Sequence, residues 1–168
     1  MRVLDFGCGT GLLSFSLRPL VGSLVGLDTS AGMLAEFEAK LAASGFDGMR
    51  TVCGGFDSAA LEPGFDLIVS SMALHHVEDT AALLAGFYRL LKPGGRIALA
   101  DLDLDGGRFH EDATGVFHNG FERKALAQLI TTAGFAAVEV VTATQLRKPV
   151  QGEPRDFSVF LACGRKPL

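Results

Sequence analysis

The run Val3-Leu4-Asp5-Phe6-Gly7-Cys8-Gly9-Thr10-Gly11 joins a short apolar segment to three glycines at alternate positions. Such a segment, stopping at glycine, reads as a strand, and Leu12–Leu20 has helical character up to Pro19. A strand that feeds a glycine-rich turn and then a helix lets the backbone approach a ligand closely, as no side chain would allow. In doubly wound folds ligands sit at the carboxyl ends of strands, where this turn lies. The spacing is G-x-G-x-G, and the third glycine of a dinucleotide fingerprint would fall on Leu12, which weighs against a nicotinamide enzyme. Asp28 closes a second strand-like run, Ser23–Leu27. A carboxylate there can accept hydrogen bonds from both hydroxyls of a ribose; the competing role is a turn or helix-capping aspartate.

His75-His76 is the other reactive pair. Adjacent residues seldom point into one site, so at most one is expected to act, and packing or capping is the alternative. A histidine titrating near neutrality can serve as a general base. Asp101, Asp103, Asp105 and Gly106, with Asp112 further on, mimic part of a calcium loop. A strand rather than a helix precedes it, Leu fills both intervening positions, and the last acid is Asp rather than Glu, so no metal is expected. His110 and His118 fall in the same acidic loop, within reach of an acceptor, although exposed loop histidines are the default.

These residues need a frame of alternating elements. Ser30 caps a helix whose apolar face is Met33, Leu34, Phe37 and Leu41, closed by Gly45. Met49–Cys53 and Phe65–Ser70 read as strands three and four. Asp79 caps a helix with Leu84, Phe87, Tyr88 and Leu91 on one face, which Pro93-Gly94-Gly95 ends before a fifth strand, Arg96–Ala100. Leu126, Leu129, Ile130 and Ala133 mark a last helix closed by Gly134. Val138–Val141 and Phe157–Ala162 are the final strands, with no convincing helix between them, so they are expected to pair antiparallel. Strand–helix alternation implies crossover units and a mostly parallel sheet.

The 168 residues suit one domain over 1–168. At 48% hydrophobic, the chain is expected to bury a sheet or to carry an uncovered interface. No apolar run approaches a membrane span, and no signal peptide is visible ahead of the first strand. A net charge of −4 without a basic run disfavours nucleic acid and favours a small-molecule acceptor. Cys8, Cys53 and Cys163 are isolated and read as buried free thiols of a cytoplasmic protein.

In this order, VLDFGCGTG, VGLDTSAGML, FDLIVSSMALHHVED, LLKPGGRIALAD and FHNGFERKALAQLITTAGF resemble the class I S-adenosylmethionine (SAM)-dependent methyltransferases, in the branch that resembles quinone-biosynthesis enzymes. The resemblance runs from Val3 to about Lys166. It implies a Rossmann-like α/β fold with a seven-stranded, mostly parallel sheet of order 3-2-1-4-5-7-6, strand 7 antiparallel. It further implies that Gly7, Gly9 and Gly11 wrap the methionine and ribose part of SAM, with Asp5 near its amino group and Asp28 on the ribose hydroxyls. Thr29 and Met33 would border the adenine. Asp57 would accept from the adenine amine with help from Ser58, although Gly55 could occupy the family's acidic position. Ser70 would face the methyl-donor end, with Met72 and His75 nearby, and His75 is the candidate base. The implied reaction is methyl transfer to a small molecule with release of S-adenosylhomocysteine (SAH). The alternatives are a degenerate member that binds SAM, SAH or a partner without efficient catalysis, and a nicotinamide oxidoreductase. The family's usual N-terminal helices are not seen before the first strand, so a homodimer supplying that cover is a further expectation.

Overall fold

Short apolar runs rich in Val, Leu and Phe form the first strands, because each is buried on both faces of a central sheet. The computed structural model describes residues 1–168. The order is β1 (Arg2–Phe6), α1 (Leu12–Leu17), a 3-10 turn (Arg18–Leu20), β2 (Ser23–Asp28), α2 (Ala31–Ser44), β3 (Met49–Cys53) and β4 (Phe65–Ser71). A second 3-10 turn (Leu74–His76), α3 (Thr80–Leu90), β5 (Leu91–Leu102), α4 (Arg123–Thr132), β6 (Ala136–Val150) and β7 (Glu153–Arg165) follow. The seven strands form one sheet of order β3-β2-β1-β4-β5-β7-β6, parallel except that β7 runs antiparallel to both neighbours. Fold class and strand order match the expectation from the sequence.

Alternation along β1 divides the core. Leu4 and Phe6 join the large cluster that contains Leu84 and Phe87 of α3 and Ile130 of α4. Val3 faces the opposite side, packed with Leu13 and Leu17 of α1. Phe37 of α2 packs with Cys8 and Phe15 on that second side. Phe87 is fully buried, so its truncation to Ala would cost about 3–5 kcal/mol. The predicted caps form: Ser30 Oγ accepts from the Met33 N–H, and Asp79 Oδ1 accepts from the Ala82 N–H. At the other end of α2, Gly45 adopts φ 65°.

Three expectations need correction. Leu91 belongs to β5 rather than to the helix before it, and Pro93-Gly94-Gly95 lies within that strand. The register against β4 shifts between Phe65 and Leu67, so the turn becomes a bulge: Phe65 pairs with Leu91, then Leu67 with Arg96. The last two strands are far longer than Val138–Val141 and Phe157–Ala162. They extend into a hairpin closed at Gln151-Gly152, both with positive φ, where Val150 pairs with Glu153. The outer half of the hairpin is mostly polar and exposed, so it lacks the apolar signature used to find strands. Finally, only Cys8 is a buried thiol. Cys53 ends the edge strand β3 and is exposed, while Cys163 is half-buried.

Candidate functional site

The carboxyl ends of β1, β2 and β4 enclose a cavity of about 330 Å³. This lies within the roughly 300–1,000 Å³ of small-ligand pockets. Phe6, Gly7 and Gly9 enter from the turn after β1, and Leu27, Asp28, Thr29, Ser30 and Met33 from the end of β2 and the start of α2. Met72, Ala73, His76 and Val77 close it from the segment after β4.

Backbone hydrogen bonds tie the glycine turn to β2: the Gly7 and Cys8 N–H groups donate to the Leu27 carbonyl at 2.8 and 3.1 Å. Asp28 reinforces the tie. Its Oδ2 accepts from the Gly9 N–H at 2.8 Å and its Oδ1 from the Ser30 N–H at 2.9 Å. Each carboxylate oxygen keeps a further lone pair, so the side chain can still receive ligand hydroxyls. Thus both sequence readings of Asp28, turn aspartate and ligand acceptor, are compatible in one geometry. Gly7 is required by close approach as well as by its φ of 67°, because a Cβ there would stand 2.2 Å from the Ala73 Cβ.

The structure places Gly7, Gly9, Asp28, Thr29, Met33 and Met72 around the cavity, and Asp5, Gly11, Asp57, Ser58, Ser70 and His75 outside its lining. A Cβ on Gly11 would meet the Phe15 and Phe37 rings at 3.0 Å, so this third glycine permits α1 and α2 to pack. Asp5 lies beneath the turn, buried, and accepts from Ser14 Oγ at 2.6 Å. Burial pushes its carboxyl up to about 6, against the opposing effect of the Ser14 hydrogen bonds. Asp57 is exposed. The loop turns back at Gly55, whose carbonyl accepts from the Ser58 N–H at 3.0 Å; Ser58 packs behind Gly54, and neither Asp57 nor Ser58 enters the lining. Ser70 is buried on the α3 side of β4, its Oγ without a hydrogen-bond partner.

His75 also differs from expectation. It is buried, with Nδ1 2.7 Å from Asp101 Oδ1 and its N–H donating to Asp101 Oδ2 at 3.2 Å. His76 is the imidazole that lines the cavity, because the 3-10 turn rotates successive side chains apart. Its Nδ1 lies 2.7 Å from the Gly115 carbonyl oxygen. The His110 ring packs at a tilt with its centroid 4.8 Å from that of His75, and its own Nε2 is buried and unpartnered. Burial first, then the neighbouring His75, His76 and Lys148, holds His110 below the ordinary histidine range. His118 is structural: its Nε2 donates to the Val77 carbonyl at 2.9 Å.

The calcium-like acids are engaged one by one. Asp101 holds His75, Asp103 receives both arms of Arg123 at 2.6 Å, and Asp105 accepts from the Gly107 and Phe109 N–H groups. Sequence reasoning missed Gly54, Ala73 and Val77 in the lining. A glycine directly after β3, at the same sheet edge as the first glycine turn, was the available signal for Gly54.

Comparison with known proteins agrees with this geometry. A family model described as a methyltransferase domain matches residues 3–95, from β1 into β5. An uncharacterized methyltransferase of Schizosaccharomyces pombe is 33% identical over 86% of this chain and 57% of its own. A ubiquinone biosynthesis O-methyltransferase of Xanthomonas euvesicatoria is 36% identical over 61% of this chain and 43% of its own. The chain thus spans about half the length of these curated relatives. A Haemonchus contortus phosphoethanolamine N-methyltransferase, solved with S-adenosyl-L-methionine, shares the fold at a TM-score of 0.81 and 20% identity, covering 100% of this chain and 49% of that one. No helix is long and apolar enough to cross a membrane. A glycine turn pinned by a strand-end acid, on this strand order and within the span matched by the family model, makes the chain a member of the class I SAM-dependent methyltransferases.

Proposed function

We propose that the chain binds SAM in the cavity at the ends of β1, β2 and β4 and transfers its methyl group to a hydroxyl of a small-molecule acceptor. The observation that carries this reading is Asp28, which anchors Gly9 and Ser30 at the cavity wall and keeps lone pairs for the ribose hydroxyls. Gly7 and Gly9 give the ribose and methionine part a backbone surface, while Thr29 and half-exposed Met33 border the adenine. Asp5 acts from below, bracing the turn through Ser14. When bound, SAM supplies a methyl group on a sulfonium centre, and SAH is the product. The chain contributes alignment of the acceptor and exclusion of water.

Relatives named as O-methyltransferases, one of them 36% identical, support an oxygen acceptor. Three free thiols suit a cytoplasmic setting. Calorimetry with SAH, SAM and NAD tests the cofactor, and label transfer from methyl-tritiated SAM tests the reaction. Binding of SAH and SAM without NAD, together with transfer to a hydroxyl compound, is expected. SAM binding with no transfer to oxygen, nitrogen or sulfur acceptors would instead show a binding protein. Failure to bind SAM would end the proposal.

A further inference from the structure

All four histidines of the chain, His75, His76, His110 and His118, meet at one seam, where the 104–120 loop lies on the turn after β4. The His75 carbonyl accepts from the Phe117 and His118 N–H groups at 2.9 and 3.2 Å. The Gly115 carbonyl accepts from His76 Nδ1 at 2.7 Å, and the Val77 carbonyl from His118 Nε2 at 2.9 Å. In both of these bonds the imidazole is the donor, and protonation of the ring preserves a donor. His110 differs. Its ring centroid lies 4.8 Å from that of His75 and 5.7 Å from that of His76, and its Nε2 is shut off from water without a hydrogen-bond partner. The imidazolium would carry an N–H there with nothing to receive it.

Groups that can carry positive charge surround this ring. His75 and His76 face it from the turn, and Lys148 of β6 reaches the Phe109 carbonyl beside it. Asp105 of the loop itself favours the charged ring but already accepts from the Gly107 and Phe109 N–H groups. Asp101 lies behind His75 and is bound to it. Burial first, then His75, His76 and Lys148, holds the docked His110 below the ordinary histidine range.

We infer that the 104–120 loop is a pH-sensitive clasp, docked on the turn after β4 while His110 is neutral and released when this ring takes up a proton. The loop can leave without disturbing the sheet. Gly106, Gly107 and Gly120 near its ends have positive φ, and Arg123 clamps Asp103 outside the moving part. Release frees His76 from Gly115 and loosens the turn, whose Ala73, His76 and Val77 line the cavity. A released ring titrates at an ordinary 6.5, whereas the docked ring resists the proton. The clasp is therefore at full strength above about 6.5 and weakens as pH falls below it. With the docked ring still neutral, passing from about pH 7.5 to about pH 5.5 raises the ratio of released to docked loop about tenfold.

Amide hydrogen exchange in the ligand-free protein, corrected for the intrinsic pH dependence of exchange, reads this ratio and does not depend on the SAM reading. In wild type, protection at Phe117 and His118 should fall about tenfold between the two pH values. His110→Phe keeps an aromatic ring at the seam and cannot titrate, so its protection should stay within about twofold. Equal protection of wild type at both pH values would overturn the inference. A His110→Phe protein that loses protection as wild type does would also overturn it, by placing the trigger on His75, His76 or His118. Parallel loss of protection in β1 and β4 would show general acid loosening instead of a clasp. Should His110→Phe leave the loop undocked at pH 7.5, proton NMR of the wild-type His110 ring decides. Titration of the ring in step with the loss of protection supports the clasp, and titration while the loop stays protected refutes it.

Discussion

Removing the Asp28 carboxylate should damage both the fold and the ligand site, and the two effects can be measured separately. In Asp28→Ala the Gly9 and Ser30 N–H groups lose acceptors now at 2.8 and 2.9 Å. A hydrogen bond to a charged group contributes about 1.5–3 kcal/mol, and Asp28 is only partly buried, so the lower end applies. Two such bonds give about 3 kcal/mol. For a chain of this length, each kcal/mol shifts the melting temperature by about 2–4 °C, which predicts a fall of about 6–12 °C. Binding of SAH should weaken by a further ~1–3 kcal/mol through loss of the ribose contacts, or roughly 5- to 150-fold in Kd. Asp28→Asn keeps one oxygen acceptor but turns an NH2 group toward the second donor, so it should recover about half of the stability. Differential scanning fluorimetry without ligand and calorimetry with SAH read the two quantities. A stability loss with unchanged SAH affinity would confine Asp28 to bracing the turn. An Asp28→Ala protein that melts with wild type and binds SAH equally would refute the whole argument.

Gly7→Ala should cost about 3 kcal/mol or more from clash with Ala73 and positive φ, whereas Gly9→Ala should cost about 1–2 kcal/mol and chiefly weaken SAH binding. Gly9→Val should abolish binding, and a folded Gly9→Val protein with normal SAH affinity would misplace the pocket. The raised carboxyl of Asp5 predicts a pH effect with a definite sign. Because the folded protein holds this proton up to about 6, against an ordinary 3.8, the stability it confers is complete below about 3.8 and lost as pH rises through about 6. Asp5→Asn should therefore gain on wild type by about 2–3 kcal/mol between pH 4 and pH 7, and a constant difference in urea midpoint would contradict this. Ser70→Ala removes a buried hydroxyl without a partner, so it should raise stability by about 1 kcal/mol and leave SAH affinity unchanged; a tenfold loss of affinity would return Ser70 to the site.

The order of elements was legible because its signals are local. Met33, Leu34, Phe37 and Leu41 repeat at helical spacing, Ser30 and Asp79 offer cap oxygens, and Gly45 supplies a left-handed residue. The short strands beside β1 are mostly apolar because both of their faces are largely buried, and their crossovers through helices leave few sheet orders open. The glycine turn and Asp28 were readable for the same reason: a strand end and the next few residues fix where they stand. The polar half of the β6–β7 hairpin was not, since its pairing comes from partners across the turn rather than from an apolar face.

Which side chains meet at the cavity was decided only by tertiary structure. The sequence presents His75 and His76 as equivalents, and the choice between them is made by Asp101 and Gly115, which lie 26 and 39 residues away. Likewise, Gly11 looks like its two companions until Phe37 packs against it, and Ser70 looks like a site residue until β4 turns its hydroxyl beneath α3. Periodicity tells each residue which face of its own element it occupies. Convergence on a site depends on loop paths, and those are set by hydrogen bonds and packing between segments that no local pattern connects.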